Sequence, residues 1–162
     1  MSSCCEGNEC AVNASSTNCP ASGTAGAAVD QQTVKALLTT TALQRFEPGE
    51  YRFCPAPDCD IVYFEAEGRT FSRSDLRVGV WQKQAEGDRV ICYCFGENES
   101  DIRAEIARDG SSRAVERVRA HIQAGRCACE VRNPRGACCL GDVSAAAKRL
   151  VAAANAHAEA VR

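Results

Sequence analysis

The cysteines of this 162-residue chain constrain it most, because the 12 of them occur in groups rather than at even intervals. The groups are Cys4, Cys5 and Cys10; Cys19; Cys54 and Cys59; Cys92 and Cys94; Cys127 and Cys129; and Cys138 and Cys139. Cysteines one or two positions apart, near Gly, Asn or Pro, are typical of turns that present thiolates to a metal. The grouping predicts iron–sulfur chemistry in the C-terminal half and zinc or another thiophilic ion in the other half.

The overall charge and the N-terminus restrict the partners and the compartment. A net charge of −2 argues against nucleic acid or a membrane surface as a partner, and no apolar run has membrane-spanning length. The N-terminus has neither a basic start nor an apolar run, so we expect no secretory signal and a cytoplasmic location. There, many cysteines usually mean metal or redox chemistry. The alternative, a disulfide-stapled secreted domain, fits poorly with adjacent cysteine pairs.

The first half predicts a small β lobe with one helix. Residues 1–28 lack large apolar side chains apart from Val12, and we expect them to be mobile unless a metal orders them. Asp30 can cap a helix whose apolar face would be Val34, Leu37 and Leu38, extended by Leu43 and Phe46. Strands are expected at 51–53, 61–64 and 78–81. A hairpin whose loop begins and ends with cysteine, Cys54 and Cys59, is typical of half a zinc ribbon.

The second half predicts a helix–turn–helix framed by cysteines. A strand over 90–91 enters the first cysteine pair, a helix begins near Asn98 or Ser100 and stops at Gly110, and a second ends at Gly125. A third helix runs from about Leu140. In an extended C-x-C segment both thiols point to the same side, so Cys92 and Cys94 can share one iron. The two helices then return the chain to the later cysteines.

The run from Cys92 to Gly96, followed by two helices and a second cysteine group, resembles bacterioferritin-associated ferredoxin. The run over 129–141, and the segments 51–54 and 59–64, are closer to the N-terminal domain of CopZ-type copper proteins. This resemblance covers about residues 19–150. It implies an α+β fold in which a zinc-ribbon-like lobe (19–86) is joined to a helical, ferredoxin-like [2Fe-2S] lobe (87–162). Residues 1–18 would be a flexible cysteine-containing segment.

The resemblance also implies the ligands of a [2Fe-2S] cluster. They would be Cys92, Cys94, one of Cys127 and Cys129, and one of Cys138 and Cys139. We favour Cys129, because it lies four residues before Asn133-Pro134 as in the family pattern, and we favour Cys139. The alternative for these thiols is a zinc site.

The first lobe departs from the family, in which a C-P-x-C-G motif and a C-x4-C motif form a four-cysteine zinc site. This chain keeps Cys54 and Cys59, but residues 19–23 read CPASG, so Ser22 stands in place of the second cysteine. A hydroxyl is a poor zinc ligand beside a thiolate. We expect a metal at Cys19, Cys54 and Cys59, in a site that suits a soft ion such as Cu(I) or Hg(II) if it stays open.

Three outcomes remain open for that site. A cysteine from the N-terminal group, Cys4, Cys5 or Cys10, completes it; water or a substrate ligand holds the fourth position; or the lobe binds no zinc and relies on packing.

These features predict a [2Fe-2S] electron-transfer and metal-handling protein of copper or other soft-metal homeostasis or resistance. A redox partner protein or a soft-metal cargo would be its partner. We expect no catalytic side chains, and any metal-ion reductase activity would act through the cluster. Because the chain ends after the third helix, we expect no second chaperone domain of its own. The alternatives are a non-redox, metal-stabilised interaction module and a thiol-rich protein that sequesters soft metals.

Overall fold

The structure is a computed structural model that describes residues 17–160, and it confirms the α+β class. The strands are β1 (Ala27–Val29), β2 (Tyr51–Phe53), β3 (Ile61–Glu65), β4 (Thr70–Ser72), β5 (Val90–Cys92) and β6 (Glu97–Asn98). The helices are α1 (Gln31–Leu37), α2 (Thr40–Leu43), α3 (Glu99–Asp109), α4 (Ala114–Gln123), α5 (Cys129–Arg132) and α6 (Leu140–Ala160). In this part of the chain, no helix is both long and apolar enough to cross a membrane.

The first lobe is a four-stranded antiparallel sheet in the order β1-β2-β3-β4. The predicted hairpin of β2 and β3 is its centre, with Phe53 opposite Tyr63. In β2 the side chains alternate, since Tyr51 and Phe53 are buried while Arg52 between them is half-buried. The hairpin therefore places its loop, and the cysteines at both ends of that loop, at one end of the sheet.

Helix α1 begins as predicted, because the Asp30 carboxylate accepts a 2.6 Å hydrogen bond from the Gln32 N–H. Its predicted apolar face, Val34, Leu37 and Leu38, is buried. The extension of this face is only partly correct. Phe46 packs against the core, but Leu43 is 38% exposed because α2 ends there and turns its last residue outward.

The second lobe is helical around a two-stranded sheet of β5 and β6. Asn98 caps α3 by accepting from the Asp101 N–H at 2.8 Å, and Gly110 ends it with φ of 74°. Both ends match the prediction. Helices α3 and α4 pack against α6 through Ile102, Ile106, Val118, Val143 and Leu150. Two statements about this lobe remain predictions: its ferredoxin-like fold and the boundary between the two lobes at residues 86 and 87.

Hydrogen bonds join the two lobes. The buried Tyr63 hydroxyl donates to the Pro134 carbonyl at 2.7 Å, and the Thr33 hydroxyl donates to the Glu130 carbonyl at 2.6 Å. Helix α1 packs against α5 at this contact. Gly136 lies so close to Thr33 that a Cβ atom on residue 136 would be 2.8 Å from the hydroxyl oxygen of Thr33. The segment between α5 and α6 is therefore held against the sheet lobe.

Two predictions about local structure are wrong. Residues 78–81 are not a strand: a 3₁₀ turn covers Trp81–Lys83, and the Tyr93 hydroxyl donates to the Gly79 carbonyl while it accepts from the Trp81 N–H. Residues 17–28 of the expected mobile segment are ordered, because Asn18 forms an antiparallel β-bridge with Ala25 and β1 pairs with β2. The rest of the predicted N-terminal segment, with Cys4, Cys5 and Cys10, lies outside the described residues.

Candidate metal centres

The first candidate site is formed by Cys19, Cys54 and Cys59, whose sulfur atoms all lie within 4.8 Å of one another. Cys54 directly follows β2, and its N–H donates a 2.9 Å hydrogen bond to the carbonyl of Val62 in β3, which extends the pairing of the two strands. Cys59 lies near the start of β3, and its thiol is 3.8 Å from that of Cys19. The hairpin thus presents two of the thiols, as the sequence predicted.

A tight turn before β1 supplies the third thiol. The Cys19 carbonyl accepts from the Gly23 N–H, and the Cys19 N–H donates to the Thr24 carbonyl, both at 2.8 Å. Gly23 has a φ of 69°, which favours glycine. This turn brings residues 19–23 against the hairpin loop, so the CPASG motif and the C-x4-C motif lie together as the resemblance implied.

Ser22 lies where the fourth ligand would be. Its hydroxyl oxygen is 3.4 Å from the Cys54 sulfur and accepts from the Thr24 N–H at 3.3 Å. The three thiol-bearing residues are 0–8% exposed, whereas Ser22 is exposed. Among the described residues the donor set is therefore three thiols and a hydroxyl, and a closed four-thiolate zinc site does not fit.

The thiols of this site influence each other's ionisation. Burial tends to raise the pKa of Cys19, but hydrogen bonds from the Ser22 backbone and hydroxyl and from the Ala21 backbone lower it to about 7. Burial and the neighbouring Cys19 and Cys54 sulfurs raise the pKa of Cys59. Cys19 therefore ionises more readily than Cys59, and a bound cation would favour the thiolate form of both.

Lys83 supports this site, and the sequence analysis missed it. Its side chain is only 4% exposed, and its ammonium donates to the carbonyls of Ala56 and Cys59 at 2.7 and 3.0 Å. The ammonium also lies 6.0 Å from the centre of the Phe53 ring. A lysine between Gln82 and Gln84 gives no local signal of this role, because the contact with Cys59 spans 24 positions.

A cavity of about 390 Å³ opens beside the first site. Its lining residues are Ala21, Ser22, Ala56, Pro57, Asp58, Cys59 and Asp60. Asp60 also accepts a 2.9 Å hydrogen bond from the Arg73 guanidinium. The cavity thus adjoins both the serine and one of the thiols, and it carries two carboxylates.

The second candidate site brings together Cys92, Cys94, Cys129 and Cys139. The sulfurs of Cys94 and Cys129 are 3.8 Å apart, and Cys92 interacts through its thiol with Cys139. Each close pair therefore joins one cysteine of the C-x-C motif to one from the later helices. The expectation that Cys92 and Cys94 share one iron is not the pairing that these contacts favour.

Helix starts and turns position these four thiols. Cys92 ends β5, and its carbonyl accepts from the Gly96 N–H at 2.8 Å, which closes a tight turn around Cys94. Cys129 begins α5 and Cys139 immediately precedes α6. The Asn133 side chain, 1% exposed, donates to the Ala137 carbonyl at 2.7 Å and so fixes the loop between the two.

Burial distinguishes the alternative cysteines. Cys129 and Cys139 are 7% and 2% exposed, whereas Cys127 is half-buried and Cys138 is exposed. A helix at 129–132, which the sequence analysis did not foresee, turns Cys129 inward. These positions agree with our preference for Cys129 and Cys139, although ligation itself is still a prediction.

Three thiols of the second set, Cys92, Cys129 and Cys139, have shifted pKa values. A hydrogen bond from Cys139 and, against the effect of burial, backbone N–H groups of Phe95 and Cys94 lower the pKa of Cys92 to about 7. The hydrogen bond with Cys92, burial and nearby thiolates raise the pKa of Cys139 strongly. Burial, opposed by a backbone hydrogen bond from Cys139, raises the pKa of Cys129 to about 12. The Ala128 N–H donates to the Cys94 sulfur at 3.3 Å.

Comparisons with known proteins agree with this architecture. Residues 16–77 match the family model described as a zinc binding domain of CopZ. The X-ray structure of the Archaeoglobus fulgidus CopZ N-terminal domain is 31% identical, with a TM-score of 0.63, over 75% of this chain and 91% of that one. This chain belongs to the CopZ N-terminal domain family. The copper chaperone CopZ of the same organism is 31% identical over 121 residues.

The CopZ family assignment confirms the main resemblance that the sequence suggested. The chain spans 57% of the length of that curated CopZ relative and 75% of its own length is matched. The zinc binding family model and the three converging thiols make the first site one for zinc or another thiophilic metal ion. The likeness to bacterioferritin-associated ferredoxin remains a prediction.

Proposed function

We propose that this protein is an iron–sulfur electron-transfer and metal-handling protein of copper or other soft-metal homeostasis. The second site would hold a [2Fe-2S] cluster on Cys92, Cys94, Cys129 and Cys139, and the first site would hold a thiophilic ion on Cys19, Cys54 and Cys59. The name of the curated relative, a copper chaperone, supports copper as the metal handled.

One observation carries the cluster assignment. Within residues 17–160, Cys19, Cys54 and Cys59 are the only group of three or more His, Cys, Asp or Glu residues whose ligand atoms all lie within 4.8 Å of one another. In the second set the Cys94 and Cys129 sulfurs lie 3.8 Å apart, and a hydrogen bond between the Cys92 and Cys139 thiols lowers the pKa of Cys92 and raises that of Cys139. A tetrahedral zinc ion requires four donors around one point, whereas a binuclear cluster takes one pair of thiolates on each iron. The pairing therefore favours two irons over a single zinc.

When bound, such a cluster supplies reversible one-electron transfer. The residues of the chain would set its environment. Buried Cys92, Cys129 and Cys139 lie against apolar side chains, which exclude water, and the Ala128 N–H donates to the Cys94 sulfur. Half-buried Cys94 marks the side of the site nearest to solvent, where a redox partner would approach.

No side chain is assigned a catalytic role in this proposal. Any reduction of a metal ion would use the electron delivered at the second site, and the redox partner protein or the soft-metal cargo would be the acceptor. We expect a reducing, cytoplasmic location, where grouped cysteines usually serve metal or redox chemistry.

A potentiometric titration separates this proposal from the interaction-module alternative. We expect the protein purified without oxygen to undergo a reversible one-electron reduction, with a reduction potential in the range found in cells. A protein with no reducible group would instead have cysteines that only stabilise the fold.

Deletion of residues 1–18 tests the sequestration alternative. If Cys4, Cys5 and Cys10 are the main binders, the number of soft-metal ions bound per chain falls in the deletion variant. An unchanged number removes that alternative and leaves the two described sites as the binders.

A further inference from the structure

The first site offers three converging thiols, and the hydroxyl of Ser22 lies beside them, 3.4 Å from the Cys54 sulfur. We propose that Cys19, Cys54 and Cys59 form an open three-thiolate site that takes a soft, monovalent ion of the Cu(I) class as exchangeable cargo, instead of a permanent structural zinc. This inference rests on the proposed metal-handling function and names the site that carries the cargo.

The number of donors distinguishes a closed structural zinc site from a site with an exchangeable position. Structural zinc sites are closed, with four Cys or His ligands, and a catalytic or labile zinc keeps three protein ligands and one exchangeable position. Here three sulfurs converge within 4.8 Å, and the nearby Ser22 hydroxyl, which accepts from the Thr24 N–H, supplies no fourth thiolate. Soft thiolate donors suit both zinc and Cu(I), but three thiolates complete the coordination of Cu(I), whereas a structural zinc takes a fourth ligand.

The first site is accessible from one side. The three thiols are buried, but exposed Ser22 and Ala21 lie on the edge of the 390 Å³ cavity that also reaches Cys59. The carboxylates of Asp58 and Asp60 line this cavity, and negative charge at an opening raises the local concentration of cations. An ion could therefore enter and leave past Ser22 without opening the hairpin.

On its inner side, the first site is supported by Lys83. Lys83 holds the carbonyls of Ala56 and Cys59, so the loop between Cys54 and Cys59 is fixed from below while its outer side borders the cavity. Three thiolates around a monovalent ion leave a net negative charge, and a buried ammonium bonded to the same loop offsets part of it. The site is thus preorganised on one face and open on the other.

The test uses the full chain, purified without oxygen, and four variants. Ser22→Cys adds a fourth thiol, and Ser111→Cys is its matched control because Ser111 is also an exposed serine, far along the chain in the second lobe. Cys54→Ser removes one proposed ligand. A triple variant, Cys4→Ser with Cys5→Ser and Cys10→Ser, removes the N-terminal thiols.

The probes are Zn²⁺ alone, in competition with a chromogenic chelator, and Cu(I) alone, in competition with bicinchoninate. We expect Ser22→Cys to tighten zinc binding by at least about tenfold and to slow zinc release, with Cu(I) affinity changed by less than about threefold. Ser111→Cys should match the wild type. The triple variant should keep both affinities, and Cys54→Ser in that background should lose one bound Cu(I).

Two results would overturn the inference: wild-type zinc retention equal to that of Ser22→Cys, or a loss of zinc affinity in the triple variant, which would make an N-terminal thiol the fourth ligand. Iron and sulfide contents of the same samples keep the two proposals apart. If every sample lacks iron, the electron-transfer function fails, whereas the zinc and copper affinities still decide the nature of the first site.

Discussion

The buried ammonium of Lys83 donates a 3.0 Å hydrogen bond to the carbonyl oxygen of Cys59, which ties the 3₁₀ turn at Trp81–Lys83 to the first metal site. The same turn contacts the second site, because the Trp81 N–H donates at 3.0 Å to the hydroxyl of Tyr93, the residue between Cys92 and Cys94. The segment that joins the lobes therefore touches both cysteine sets.

Replacement of Lys83 should loosen the first site. Lys83→Met leaves the carbonyls of Ala56 and Cys59 without their charged donor, and we expect a loss of about 2–3 kcal/mol in the free energy of unfolding. Zinc release to a chelator should also accelerate. Lys148→Met removes an exposed lysine of α6 and should change neither quantity. Equal zinc release from Lys83→Met and the wild type would show that this lysine does not position the site.

Single serine substitutions should separate ligands from spare thiols in the second set. Cys129→Ser and Cys139→Ser should abolish the visible absorption of the cluster and lower the iron content, because each removes one member of a close pair. Cys127→Ser and Cys138→Ser are the matched controls and should retain both. Retention of full iron content in Cys139→Ser, with loss in Cys138→Ser, would reverse the assignment of that ligand.

The contact between the lobes should stabilise the second site. Tyr63→Phe removes the hydrogen bond to Pro134, in the loop that leads to Cys139, and should lower the free energy of unfolding by about 1 kcal/mol. Loss of the cluster under chelator challenge should become faster. Tyr51→Phe, which removes a 2.8 Å bond to the Glu47 carbonyl within the first lobe, should destabilise by a similar amount but leave the rate of cluster loss unchanged. Equal rates in both variants would contradict the coupling.

Glu99 should make stability depend on pH. A hydrogen bond from the Arg89 guanidinium, joined by those from the Gly87 N–H and Arg149, outweighs burial and lowers the pKa of Glu99 from 4.5 to about 2. The folded chain thus keeps Glu99 ionised where the unfolded chain takes up a proton. Its contribution to stability is complete above pH 4.5 and is lost as the pH falls toward 2.

The substitution Glu99→Gln tests this dependence. At pH 7 it should cost on the order of 2–3 kcal/mol, because it removes the negative partner of two guanidinium groups in a fully buried position. The difference from the wild type, measured by denaturant unfolding, should shrink as the pH falls below 4.5. Glu116→Gln, at an exposed position of α4, is the control. A difference that stays constant from pH 7 to pH 3 would refute the role of ionised Glu99.

Local signals allowed much of the fold to be predicted. Asp30, Asn98 and Gly110 mark helix ends through interactions with residues two to four positions away, so their effect is visible in the sequence. The hairpin of β2 and β3 was predicted for the same reason. The segment 78–81 was assigned wrongly as a strand because its backbone partner is the distant Tyr93 hydroxyl rather than another strand.

The candidate sites were predictable in their composition and less so in their arrangement. The three thiols of the first site follow from two short motifs, and Ser22 could be identified as the missing donor. Its exposure and the adjoining cavity depend on how the turn at 19–23 docks on the hairpin, which no local pattern encodes. The pairing of Cys92 with Cys139 depends likewise on the packing of β5 against α6, because 47 positions separate the two residues.

The central claim is that the second cysteine set holds two irons while the first holds a different ion. Iron, acid-labile sulfide and zinc analysis of protein purified without oxygen, with EPR after dithionite reduction, tests it most directly. The account predicts about two irons and two sulfides per chain and a one-electron signal in the reduced sample. A colourless protein that contains zinc and no iron would contradict it.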